Sequence, residues 1–156
     1  MTLKDIKKAV NAALKNQFPE CKVYGSDTVE GYTRPSFFVY VTQTFSETTR
    51  NAVHKNVEIE IDYIQKSPDE GKSMEFFQIM ENLFGQKLQV EKRKLNTGGL
   101  NMNFQGEHVN IPVFSFEVEF WDEIRKTDNS ETMKDIIFEQ EIKTMKDIIF
   151  EKEADE

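Results

Sequence analysis

NVEIEIDYI, Asn56 to Ile64, alternates without interruption: Val57, Ile59, Ile61 and Tyr63 fall on one side of an extended chain, and Glu58, Glu60 and Asp62 on the other. Successive side chains of a strand point to opposite faces, so this stretch is a strand with one buried and one solvated side. IPVFSFEVEFW, Ile111 to Trp121, has the same pattern, with Phe114, Phe116, Val118 and Phe120 inward and Ser115, Glu117 and Glu119 outward. If the two strands share a face, the domain carries an acidic surface with little local compensation. SFFVYVTQT, Ser36 to Thr44, differs: Phe37, Val39 and Val41 make one apolar face, and Phe38 and Tyr40 make another.

Helical patterns lie on either side of this strand pair. Thr2 and Asp5 have capping-box spacing, and Leu3, Ile6, Val10, Ala13, Leu14 and Phe18 recur as one apolar stripe ending at Pro19. SPDEGKSMEFFQIMENLFG predicts a second helix, with Ser67 as cap, Pro68 at the first helical position and Glu70 closing the box. Met74, Phe77, Met80 and Phe84 fill its apolar face, and Gly85 stands where a left-handed C-terminal residue belongs. Further strands are expected at Lys22 to Tyr24, Lys87 to Leu95 and Leu100 to Gln105, with turns around Gly98, Gly99 and Gly106 and a loop punctuated by Gly31 and Pro35.

The order predicts an α+β fold: an antiparallel or mixed sheet with two helices packed on one face, plus a C-terminal helical extension. The expected organisation is a domain over residues 1–123, a polar linker over 124–130 and an amphipathic tail over 131–156. A chain of 156 residues with 13 Phe can bury one workable core.

The net charge of -8 counts against tight nucleic-acid binding, which draws its affinity from Lys and Arg on phosphates. Cys21 is the single cysteine and can form no internal disulfide; the opening MTLKDIKKAV carries no apolar signal core, and no run of about 18 apolar residues spans a membrane. A reducing cytoplasm is therefore the expected place of synthesis.

Chemistry-bearing motifs are missing. The sequence has no HExxH, CxxC, GxSxG or phosphate-binding glycine loop, and its two histidines, His54 and His108, fall in polar segments without a second ligand at metal spacing. Cys21 reads as a small half-buried hydrophobe without a neighbouring base. Glu58, Glu60 and Asp62 are about 7 Å apart on one strand face, within reach of a shared divalent ion, and a small metal-dependent nuclease is the enzymatic alternative they offer. The simpler reading is the solvated face of an amphipathic strand. No catalytic residue, metal or cofactor is assigned.

LKDIKKAVNAALKNQFPE, KVYGSDTVEGYTRPSFFVYV, the Leu83-Phe84-Gly85 end of the second helix with KLQV after it, and FSFEVEFWD together resemble a family of phage and prophage tail-terminator proteins, over about residues 1–123. The resemblance rests on the order and spacing of elements. It implies a small structural α+β subunit of the virion tail, assembled in the host cytoplasm. Such subunits form a ring, generally hexameric, that stops growth of the tail tube and presents the surface to which the head joins. The implied partners are further copies of the chain, the tail tube protein and a head-tail connector protein; a head-completion or tail adaptor subunit is the neighbouring alternative. In such a ring Phe38 and Tyr40 are candidates for the subunit interface, with a second internal core layer as the equal alternative, and Glu58, Glu60, Asp62, Glu117 and Glu119 for an acidic lumen or rim that does not hold DNA.

The C-terminal stretch says TMKDIIFE twice, at Thr132 and again at Thr144, a spacing of twelve residues that is too short for a solenoid repeat. Each copy opens like the first helix, so the tail is expected to be helical. Twelve residues turn a helix by about 1200°, which leaves the copies about 120° apart. Met133, Ile136 and Ile137 then address one partner, and Phe138, Ile142, Met145 and Ile149 a second partner or a helical seam.

Overall fold

A computed structural model of the chain describes residues 1–124. Helix α1 (Leu3–Gln17) begins as its sequence predicts: Thr2 Oγ1 accepts the Asp5 amide, and the Asp5 carboxylate accepts the Thr2 amide in return. Ile6, Val10 and Leu14 are its fully buried stripe. After it come β1 (Lys22–Tyr24), β2 (Ser36–Thr48), β3 (Ala52–Ile64), α2 (Glu70–Phe84), β4 (Lys87–Val90), β5 (Arg93–Gln105) and β6 (Ile111–Glu123). The strands form a six-stranded sheet in the order β1-β2-β3-β6-β5-β4, with β1 parallel to β2 and every other pair antiparallel. The fold is the α+β sandwich expected from the sequence, with a mixed sheet.

Both helices lie against the same face. Val57, Ile59 and Ile61 of β3 stand opposite Val118, Phe116 and Phe114 of β6, and all six are buried with Ile6, Val10 and Leu14 of α1 and Phe76, Met80 and Phe84 of α2. Phe84 stacks on Phe116 with centroids 5.0 Å apart, and Phe37 lies among Phe18, Tyr63 and Phe76. A fully buried Phe removes enough apolar surface to contribute about 2–3 kcal/mol, so this aromatic layer dominates the stability of Met1–Glu123, a single compact unit.

Local details differ from the sequence reading at five places. Asp69, not Ser67, caps α2, its carboxylate accepting the Lys72 amide. The reason is tertiary: the buried Gln65 side chain accepts from the Asp69 amide and donates to Ser73 Oγ, which starts the helix two residues later than expected and draws Ser73 inward. The buried stripe of α2 is accordingly Ser73, Phe76, Met80 and Phe84, with Phe77 half-buried and Met74 left 61% exposed. Gly85 is right-handed, at φ -68°, and its amide continues the helical hydrogen bonding to Glu81.

The fourth difference concerns the Lys87 to Leu95 strand, which breaks at Glu91 and Lys92. Val90 pairs with Arg93, and Glu91 takes a left-handed φ of 52°, so a tight turn joins β4 to β5 without glycine. Gly98 and Gly99 make no turn; they lie inside β5 as a bulge, where the pairing with β6 slips between Gly98 and Asn101. The tail positions Met133, Ile136, Ile137, Phe138, Ile142, Met145 and Ile149 lie outside the described residues.

Candidate functional site: the uncovered sheet face

The pairing of β3 with β6 puts Glu58 directly opposite Glu117, Glu60 opposite Ser115, and Asn56 opposite Glu119. Directly opposed residues of an antiparallel pair share a face, so the two acidic rows form one surface in the middle of the sheet, on the side away from both helices. Tyr40 of β2 extends it beside Glu60, and Phe38 beside Asp62. None of Glu58, Glu60, Asp62 or Glu117 pairs with a Lys or Arg among the described residues.

Crowding shows in the protonation of these groups. Burial, reinforced by Glu60, pushes the Asp62 carboxyl up to about 6, and its inner oxygen is sealed without a hydrogen-bond partner. Burial and the neighbouring Glu58 raise Glu60, and burial with Asp62 and Glu60 raises the Tyr40 hydroxyl. The like-charge pair Glu58 and Glu117 is moderated from one side, where Asn56 Nδ2 donates to Glu117 Oε2 at 2.9 Å.

Phe38 is covered within its own subunit. Tyr24 and Tyr32 pack on its ring at centroid distances of 5.5 and 5.2 Å, and only 7% of it is exposed. Tyr40, two residues on, is half-buried. Val113, on the same row as Phe38, is buried too, so this end of the face is closed by the loop that carries Tyr32.

The opposite end of the face is open and aromatic. His54 stacks on Trp121 with centroids 4.4 Å apart and planes 9° from parallel, Phe45 meets the other side of the imidazole edge-on, and His54 Nε2 contacts Glu119 at 2.5 Å. His54 is therefore held by three neighbours and does not stand free as its polar surroundings in the sequence suggest; His108 is exposed. Trp121 and Phe45 remain 53% and 45% exposed. Beside them a hollow of about 320 Å³ is lined by Asn56, Asn96, Gly98, Gly99, Glu117 and Glu119. The sequence carries one signal for it: Trp121 has the parity of Glu117 and Glu119, so a large indole falls on an otherwise polar face.

Among the described residues nothing else has the form of a reaction centre. Burial, with Glu20 beside it, pushes the Cys21 thiol up to about 11, which leaves it protonated and weakly nucleophilic at neutral pH. Among the described residues no three His, Cys, Asp or Glu side chains gather as a metal-binding group, and no helix is long and apolar enough to cross a membrane.

A comparison with curated proteins finds no match. The helix-backed sheet described above spans nearly all of a family match: the model for phage tail terminator proteins fits residues 5–131, and the chain belongs to that family.

Proposed function

We propose that this phage tail terminator acts by closing into a ring on the end of the tail tube, hexameric as the family resemblance implies, and that the ring stops tube growth and receives the head-tail connector. The observation that carries this reading is the uncovered face with Glu58, Glu60, Asp62, Glu117 and Glu119 in one field and both helices behind it. Placed on the lumen or on one rim, such a face keeps DNA mobile by repulsion. Tyr40 supplies apolar surface for a subunit contact on its border, and Phe38 backs that border from beneath the Tyr24 and Tyr32 rings. The tail over residues 131–156 serves as an arm toward a neighbouring subunit or the next tail protein.

The protein works as a structural part, without catalysis, metal or cofactor. A nuclease acting through Glu58, Glu60 and Asp62 would require a basic path for its substrate, and the acidic face repels phosphate. Native mass measurements and negative-stain images, with and without purified tail tubes, test the ring: closed rings at tube ends are expected. A chain that stays monomeric and also fails to bind tubes would rule it out. Exchanging Glu117 and Glu119 for Lys is expected to leave folding intact and to impair DNA ejection or head joining, and normal infectivity of that double variant would remove the lumen or rim assignment.

A further inference from the structure

The open end of the acidic face combines features that neither a lumen wall nor a solvated strand requires. Trp121 presents more than half of its surface to solvent, yet it is braced flat against His54, which Phe45 and Glu119 hold from two further directions. The indole is therefore a fixed platform and not a loose exposed ring. Next to it, the β5 bulge removes side chains where they would fill the space: a Cβ on Gly98 would have no atom within 4 Å, and Gly99 sits at φ +60° with the Glu117 side chain against it. The bulge thus makes the hollow and lets Glu117 lie in its wall.

The polar chemistry of the hollow is that of an acceptor. Glu117 receives one hydrogen bond, from Asn56, and has no cationic partner among the described residues. Among the described residues Glu119 meets only the imidazole of His54, which carries charge only when protonated. Arg93 and Lys55 are engaged with Asp122 on the helix side of the sheet, and Lys94, two residues before Asn96 on β5, has no ion pair among the described residues. A planar guanidinium satisfies both features together, because it stacks on an indole face and gives paired N–H donors to a carboxylate. An ammonium reaches the carboxylates but lacks the planar match.

We infer that this hollow is a docking site for an arginine side chain presented by a partner protein, with Trp121 as the stacking platform and Glu117 and Glu119 as the acceptors. The site goes beyond the ring reading and stands whether or not the subunit closes a ring. Charge complementarity selects its occupant: an acidic rim with an aromatic plate favours a basic, planar group over an apolar or acidic one.

Trp121 is the only tryptophan of the chain, so its emission reports on the hollow directly. The full chain is titrated with N-acetyl-arginine amide and, separately, with the citrulline counterpart, which has the same shape without the charge. Arginine is expected to change the emission saturably with a millimolar constant, citrulline to give no saturable change, and the lysine counterpart to bind several-fold more weakly. The Glu117→Gln, Glu119→Gln double variant, with its fold verified by circular dichroism, is expected to weaken arginine binding by at least about tenfold. The site is ruled out if arginine gives no saturable response, if citrulline matches it, or if the folded double variant binds unchanged. Should the double variant fail to fold, Gly98→Leu, which fills the hollow and leaves both carboxylates in the chain, is expected to abolish the arginine response, and an unchanged response there would overturn the proposal equally.

Discussion

The indole of Trp121 lies on the imidazole of His54 with centroids 4.4 Å apart, and the same imidazole reaches Glu119, two residues from Trp121 along β6. The pair belongs to a surface and not to the core, so its energetic and functional weights should separate. Trp121→Ala is expected to change stability by less than about 1 kcal/mol, whereas Phe116→Ala, fully buried against Phe84, should cost about 3–5 kcal/mol. Urea denaturation of both variants checks the contrast. A Trp121→Ala loss as large as that of Phe116→Ala would mean the platform is part of the folding core.

Asp62 should make the protein less stable as pH rises. Its carboxyl is pushed up to about 6 in the folded chain from an ordinary 3.8, so the folded state holds the proton more tightly than the unfolded one. The associated stability is complete below the ordinary value and is lost as pH climbs through the folded one. Asp62→Asn is then expected to stabilise the protein by about 1–2 kcal/mol at neutral pH, after allowance for solvent screening, and by almost nothing below about pH 3. Denaturation midpoints across that range give the answer, and a gain that is constant with pH would contradict the assignment.

Asp122 works in the opposite sense. Burial alone would raise its carboxyl, but the N-terminal ammonium, Arg93 at 2.6 Å and Lys55 hold it below the ordinary range. Its stabilisation is present above the ordinary carboxylate range and disappears as pH falls through the lowered value. Asp122→Asn should cost about 1 kcal/mol at neutral pH, and the deficit should shrink under acid, as melting curves at the two pH values would reveal.

The two glycines of the β5 bulge should respond differently to alanine. Gly99→Ala places a Cβ 3.2 Å from the Glu117 side chain on a left-handed backbone, and an expected loss of about 1–2 kcal/mol follows. Gly98→Ala meets open space and should be within about 0.5 kcal/mol of the parent. Equal losses in thermal melts would mean that the bulge geometry is not what requires Gly99.

A chain ending at Lys126 tests the repeated tail. The core of buried residues described here lies entirely between Ile6 and Phe120, so the melting temperature is expected to stay within a few degrees of the parent while affinity for copies or tail partners falls. Unfolding on truncation would make the tail part of the subunit's own core.

Much of this architecture is written locally. Alternation in β3 and β6 predicts which side of each strand is wet, because a strand's period of two reports burial face by face, and the Thr2 and Asp5 cap is an exchange of bonds within one turn of chain. It follows that Glu58, Glu60, Asp62, Glu117 and Glu119 could be picked out before any contact was known. Other features depend on residues far apart in the chain. Whether the acidic rows coincide is a matter of register between β3 and β6, and only that pairing sets Glu58 against Glu117 and His54 under Trp121. Gln65 moves the cap of α2 to Asp69 and turns Ser73 inward, which no helical period of α2 contains, since adjacent Phe76 and Phe77 permit either rotation. Gly98 and Gly99 look like a turn in isolation, yet the ladder on β6 runs past them and converts them to a bulge. Phe38 carries no mark of the Tyr24 and Tyr32 rings that cover it, because a loop's path is decided by where its ends are held and not by its own composition. Periodicity is a one-dimensional record of solvent exposure; register, caps made across elements and loop cover are three-dimensional choices among arrangements that satisfy that record equally well.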